Sequence, residues 1–435
     1  MSLLGSLNAA IGGLNAQSSA LNNISDNVAN SQTIGFKKTD TAFVNYLTES
    51  DSNIHSPGAV VARPDYRNSE QGAVTQSSNP TALAVSGNGL FAVQRPTGPN
   101  TFSPQQFYTR VGDFAPDSSG HLVNSTGYAL DGWPAVGNSG TLFNNNALQP
   151  IVINKAPSAP VPTSNVTMAA NLPSTPPTAT TAYSSTVQIR DAGGNAQNLT
   201  LNWTQTGTAN QWNLDITSNS PAATTGPMLV TFGTTGADAG TIISIGPASG
   251  AIPTTVPAGS PPTAGSPATI GLTLNFGLGN QPTILNLGSF ARPNGVTQFS
   301  GKDYQVTTQT QDGASQGNYT SVTIQPTGNV VLNYDNGQSA TVARIPLVAF
   351  SDPDALQQQD GQAFTATIDS GTANVVVANT GGTGKLIVGA TEGSNVDIAA
   401  EFTKMIVAQR ASTANTKVVT TANSMLQDTL NMVQG

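Results

Sequence analysis

The chain has 435 residues, a length that suggests about two to four domains. Only 9% of them are charged and 37% hydrophobic, below the usual ~25% and ~45–50%, so several small, turn-rich modules are expected rather than one large core. The net charge of −8 comes without a basic cluster, there is no cysteine, and His55 and His121 stand far apart; this argues against a phosphate-backbone footprint and a histidine metal site, and excludes disulfides and thiolate chemistry.

In chain order, the first thirty residues carry a helical period. Leu4, Leu7, Ile11, Leu14, Ser18, Leu21, Ser25 and Val28 are spaced alternately by three and four, the seam of a heptad pattern. Gly12 and Gly13 weaken it by about 1 kcal/mol each, so an isolated helix here should be marginal. The segment from Met1 to Phe36 contains no Lys or Arg and no contiguous apolar stretch, so no cleaved secretory signal is expected. No run of about 18 apolar residues is present that would span a membrane.

From Ser69 to Asn146, short apolar runs such as Leu83-Ala84-Val85 and Leu90-Phe91-Ala92-Val93 alternate with turn residues and predict a β domain. Between Asn146 and Val296 the text changes. Charges become sparse, Pro157, Pro160 and Pro162 and later Pro253, Pro257, Pro261 and Pro262 punctuate it, and Thr186 to Trp203, Trp212 to Ile216 and Leu272 to Phe276 read as strands. This predicts an inserted β module. From Gln316 to Phe350, Tyr319–Ile324, a Pro326–Asn329 turn, Val330–Tyr334 and Asn336-Gly337 read as consecutive hairpins.

The last forty residues repeat the helical pattern. Ile398, Phe402, Met405, Gln409, Ser412, Thr416, Val419, Asn423, Leu426, Leu430 and Val433 keep the three/four alternation, and Ser394 to Asp397 supplies a capping-box signature. A helix from Val396 to Val433 would be about 57 Å long and needs an extended helical partner, either the first helix or a second copy in a coiled-coil dimer.

No catalytic constellation emerges, so an enzyme is not expected and no cofactor or metal is called for. Gly87-Asn88-Gly89 lacks a third glycine and reads as a tight turn; Asp131-Gly132 and Asp312-Gly313 read as turns, Asp352 and Asp354 as turn caps around Pro353, and His121 as a surface residue. Five Asn-x-Ser/Thr triplets, at Asn124, Asn165, Asn198, Asn202 and Asn318, reflect the Asn and Thr richness of turns and strands.

Several words are familiar. Leu14-Asn15-Ala16-Gln17 followed by Asn27 to Lys37, with Asn27, Asn30, Gly35 and Phe36, resembles the N-terminal signature of the bacterial flagellar rod and hook proteins. Glu392 to Ile398, with Asn395 and Asp397, then Glu401-Phe402, Met405-Ile406, Gln409-Arg410 and Met425-Leu426, resembles that family's C-terminal signature. Tyr108 to Phe114, Gly127-Tyr128, Gln311 to Ser321 and Tyr334 to Gly337 resemble its hook branch in particular. Ser412-Thr413 stands where the family often carries an aromatic, and Leu90 where Phe is common.

The resemblance implies a multidomain, mainly β chain whose N- and C-terminal α-helices pair in a coiled-coil-like inner domain, 1–45 with 395–435. Residues 46–70 would be a linker and 71–146 with 295–394 a discontinuous β domain; 147–294, which the resemblance does not cover, is expected from composition alone to be an inserted β-barrel or sandwich-like outer domain. It implies a helical homopolymer, the curved tubular hook that carries motor torque from rod to filament, outside the cell. The partners implied are the distal rod protein, the hook-capping protein, the hook-filament junction protein and the type III export apparatus, with no nucleic acid and no membrane insertion. The alternatives are a distal rod protein of the same superfamily and, from another class, a secreted β-rich adhesin or carbohydrate-binding protein presenting exposed Trp133, Trp203 and Trp212.

Overall fold

The computed structural model describes residues 3–50, 55–98, 100–136, 142–175, 181–218, 225–248, 263–301 and 303–434. It is mainly β, with one long helix near each end. The chain divides into two compact units, the first being Met1–Lys155, Ser321–Asn333 and Ser339–Gly435, the second Ala156–Thr320 and Tyr334–Gln338.

In the first unit, helix α1 runs over Leu3–Ala29. The side chain of Asn30 bonds back to Asp26 O at 3.0 Å, and Gly35, at φ +69°, turns the chain away. Strands β1 (Thr39–Ser50) and β2 (His55–Tyr66) follow as an antiparallel hairpin with Val44 opposite Val61. Most of the stretch read as a linker, 46–70, therefore lies in this hairpin. Its Val, Ala and Tyr content suits a strand, and Pro57 and Pro64 are accommodated in it.

The β part of this unit is built on Phe91–Gly98, Thr101–Thr109 and Ala129–Pro134, with Ala363–Thr365 beside Tyr108 and Ser339–Arg344 beside Trp133. Its interior holds Leu83, Val85, Phe91, Val93, Phe114 and Leu130, and Phe91 and Phe114 meet edge to face at 5.5 Å. Helix α2 (Ile398–Gln434) closes the unit. Its N-cap is Asp397, whose Oδ1 accepts from the amides of Ala399 (2.9 Å) and Ala400 (3.1 Å). Ser394, the cap expected from spacing, accepts instead from Val396 N in the approach loop.

In the second unit, Ala182–Arg190, Ala196–Gln205, Gln211–Ser218, Thr225–Phe232 and Ile242–Pro247 form a five-stranded antiparallel meander. A four-stranded sheet has the order Pro267–Asn275, Asn280–Ser289, Asn165–Asn171, Gln305–Gln311, with its middle pair parallel. The two sheets share one apolar core from Val166 to Val296, and among the described residues no sheet closes into a barrel. Since Gln305–Gln311 pairs with Asn165–Asn171, this unit reaches past 294, where the composition shift ends.

Three local readings change. Trp203 and Trp212 are fully buried and Trp133 nearly so, which removes the exposed aromatic platform on which a sugar-binding reading depended. His121 is buried edge-on against Phe102, ring centroids 5.0 Å apart, because the turn at Asp117 folds it inward. Asp131-Gly132 is strand, not turn, with Asp131 fully buried.

Candidate functional site

The terminal helices run antiparallel, and their contact repeats every seven residues. Asn27 bonds Glu401, Ala20 and Ala408 line one groove, Gly13 faces Asn415, and Ser6 and Ala422 line a second groove. Each step of seven along α1 thus matches seven back along α2, as in a coiled coil. These layers are made of small or polar residues. A Cβ on Gly13 would lie 2.6 Å from Asn415 Nδ2, so the Asn415 side chain packs directly over the glycine.

The apolar three/four seam read from sequence is not fully buried in the chain itself. Leu7, Leu14, Leu21 and Val28 are only half-buried, as are Met405, Val419 and Leu426, while Ile11, Ile398, Phe402 and Leu430 are exposed. The side chains of Leu4 and Val433 lie outside the described residues. Sequence reasoning missed the inner layer, because alanine, glycine, serine and asparagine carry little hydropathy signal. The signal that could have found it is the heptad of small residues Ser6, Gly13 and Ala20.

A polar joint ties the helix pair to the β strands. Asn27 is buried; its Nδ2 donates to Thr39 O (3.0 Å) and Glu401 Oε2 (3.1 Å), and its Oδ1 accepts from Thr39 N (3.0 Å). Lys404 Nζ bridges Glu401 Oε1 at 2.7 Å and Asp40. Burial works against both ions of that last pair, yet the hydrogen bonds and opposite charges win: Asp40 is held below the ordinary carboxylate range and Lys404 above the ordinary ammonium range.

Asn395 Oδ1 accepts from Lys38 N at 2.8 Å, and its Nδ2 donates to the carbonyls of Arg67 (3.1 Å) and Glu70 (3.2 Å). Beside it, fully buried Glu392 receives Lys37 Nζ (2.6 Å), Arg110 Nη1 (2.8 Å) and Gly72 N (2.9 Å). Burial pulls the Lys37 ammonium below its ordinary value against the attraction of Glu392, and Arg110 adds to the lowering. Gly35 donates its N–H to Glu392 O at 2.8 Å, and a Cβ there would sit 2.7 Å from Val111 N. Phe36 is buried.

Of the motif residues, then, Asn27, Gly35, Phe36, Asn395 and Asp397 converge on the junction of the two termini. Asn30 caps the end of α1, and Gln409 and Arg410 lie exposed along α2. The large apolar side chains of α2 form an outward stripe: Ile398, Phe402 and Ile406, four residues apart, with Phe402 48% and Ile406 54% exposed. Among the described residues, no group of three or more His, Cys, Asp or Glu gathers as a metal site, and no helix is long and apolar enough to cross a membrane. The arrangement offers adhesion rather than proton transfer.

Comparison with known proteins agrees with this geometry. Residues 7–37 match a family described as flagella basal body rod protein, 84–191 the flagellar hook protein FlgE/F/G D1 domain, 155–314 the flagellar basal body protein FlaE D2 domain, and 387–432 the flagellar basal body rod FlgEFG protein C-terminal. The chain is 32% identical to the flagellar hook protein FlgE of Rhizobium meliloti over 99% of this chain and all of that one. It is 31% identical to that of Brucella abortus over 99% of this chain and all of the other, and 30% identical to that of Salmonella typhimurium over 98% and 100%. A solved Helicobacter pylori flagellar hook protein covers 72% of this chain and 98% of its own at 14% identity and TM-score 0.47. The chain belongs to the flagellar hook protein family of the rod and hook superfamily, and is a structural subunit of the hook.

Proposed function

We propose that this chain polymerises through its terminal helix pair into the curved tubular joint that passes torque from rod to filament. In this reading the terminal helices, 1–45 with 395–435, form the inner tube, the remaining strands of the first unit a β domain, and the second unit, Ala156–Thr320 with Tyr334–Gln338, the outer module. The observation that carries it is the division of labour on the helices: small residues meet inside the pair, and Ile11, Phe402, Ile406 and Leu430 face outward. An exposed apolar stripe of this kind marks an interaction surface, and burying the exposed half of each such side chain gains about 1 kcal/mol.

The seam residues Leu4, Leu7, Ile11, Leu14, Leu21, Val28, Ile398, Phe402, Met405, Val419, Leu426, Leu430 and Val433 then serve contacts between copies rather than within one. The sparse charge of residues 147–294 suits contacts that shift as the tube turns, since few ion pairs must break. The chain acts without catalysis or cofactor. It is exported through the flagellar apparatus and works outside the cell, next to the distal rod, hook-capping and junction proteins. Electron microscopy of the purified full-length protein tests this: tubes are expected, and a chain that stays monomeric under assembly conditions contradicts it.

A further inference from the structure

We propose that the terminal helix pair carries a hinge within it, at the level where Gly13 meets Asn415. This rests on the polymeric reading above and adds to it a place where each subunit bends. Both helices are weakest at this level. Gly12 and Gly13 stand in the interior of α1, and glycine is the poorest helix former after proline. On α2, ten of the thirteen residues from Ser412 to Ser424 are Ser, Thr, Asn or Val, all of low helix propensity, whereas nine of the thirteen from Ala399 to Ala411 are Ala, Glu, Lys, Met, Gln or Arg. The layers on either side, Ala20 with Ala408 and Ser6 with Ala422, hold buried alanines, and the layer between them holds only a glycine and a half-buried asparagine.

The same stretch of α2 is prepared for bending. The hydroxyls of Thr413 and Thr416 donate to the carbonyls of Gln409 and Ser412, both at 2.9 Å, that of Thr420 to Lys417 O at 2.9 Å and that of Ser424 to Thr420 O at 3.1 Å. Thr413, Thr420 and Ser424 are exposed, and each stands two residues from Asn415 or Ala422, about 160° around the helix and so on the face away from α1. A carbonyl with a hydroxyl donor stays satisfied when its backbone N–H draws away, so this outer face can lengthen at low cost; such back-bonding bends helices. Lengthening the outer face curves α2 over α1 where Gly12 and Gly13 offer least resistance. The Asn27–Glu401 bond anchors one half of the pair to the strands, so the half beyond the hinge tilts while that anchor holds. In a curved tube that turns, a subunit meets its neighbours at a changing tilt, and the hinge absorbs the change without breaking the outward apolar contacts.

Amide hydrogen exchange of the assembled full-length chain tests it. Residues 412–424 and 10–15 should exchange about tenfold faster, or more, than 399–411 on one side and 425–430 on the other, an interior minimum of protection. In Thr413→Ala/Thr416→Ala/Thr420→Ala, where the best helix former replaces exposed hydroxyls, exchange over 412–424 should slow about tenfold while 399–411 stays as it was. Its tubes should also show a narrower spread of curvature in electron micrographs. Uniform exchange along α2, a rate that only rises towards Gln434, or a variant in which nothing slows overturns the hinge while leaving assembly intact. Should the variant fail to assemble, the profile of the unmodified polymer decides alone. Absence of any polymer from the unmodified chain would instead defeat the polymeric reading, and the profile of the free full-length chain then decides the hinge by the same criterion.

Discussion

Asn27 and Glu401, 374 residues apart in sequence, are joined side chain to side chain by a buried hydrogen bond of 3.1 Å. The bond fixes the end of the first helix to the start of the last, and Asn27 also holds both backbone groups of Thr39. Asn27→Leu should therefore cost about 1–3 kcal/mol, the desolvation of polar groups left unpaired. Urea unfolding of the full chain measures it, and exchange of the Thr39 amide should accelerate. An unchanged midpoint would show that the bond is dispensable.

The close approach at Gly13 makes a second expectation. Alanine favours a helix interior by about 1 kcal/mol over glycine, but here its Cβ would collide with Asn415. Because Asn415 must shift to admit the methyl group, Gly13→Ala should gain more stability in an Asn415→Ala background than in the unmodified chain, with a coupling of about 0.5–3 kcal/mol in a double-mutant cycle. Equal effects in both backgrounds would mean the helices do not meet there.

Glu392 lies between two buried cations, Lys37 and Arg110, and pairs with both. Replacing it by glutamine leaves both charges unpaired in the interior and should cost about 3–5 kcal/mol. Removing the cations along with it, in Lys37→Met/Arg110→Met/Glu392→Met, should recover part of that loss. Thermal unfolding of the two variants side by side provides the comparison.

Asp131 gives a pH dependence. Burial pushes its carboxyl up to about 7 against the single bond from Gln106 Nε2, at 2.7 Å, and Oδ1 has no partner. The folded state therefore holds a proton that the unfolded chain has already lost above pH ~4, and stability falls as pH rises from about 4 to about 7. Asp131→Asn should flatten that slope, so that its midpoint relative to the unmodified protein improves from pH 5 to pH 8. Parallel pH profiles would contradict the assignment.

The positions of both helices, the hairpins around Asn336-Gly337 and the strand at Trp212 to Ile216 were legible in the sequence, because period and turn chemistry are local; Thr186 to Trp203, read as one strand, is two, and Thr225–Phe232 and Ile242–Pro247 went unread. The inner helix layer was not, since Ser6, Gly13, Ala20 and Asn415 matter by being small or by fitting one partner. Glu392 and Lys37 look like surface charges until the fold brings Arg110 beside them. Asp131-Gly132 reads as a turn by composition, but the strand pairing of Gly132 with Gln149 overrides that local preference. Asn27 and Asn395 were marked by family resemblance alone, and the structure supplies their reason: each satisfies backbone groups of the segment between α1 and the β domain.

The central claim is that the outward apolar side chains of the helix pair, not its small-residue inner layer, drive assembly. Electron microscopy of full-length Phe402→Asp/Ile406→Asp protein beside the unmodified chain tests it most directly, with circular dichroism and thermal unfolding on both. Both side chains are about half exposed, so the account predicts an unchanged fold and melting midpoint but no tubes. Tubes indistinguishable from those of the unmodified chain would contradict it.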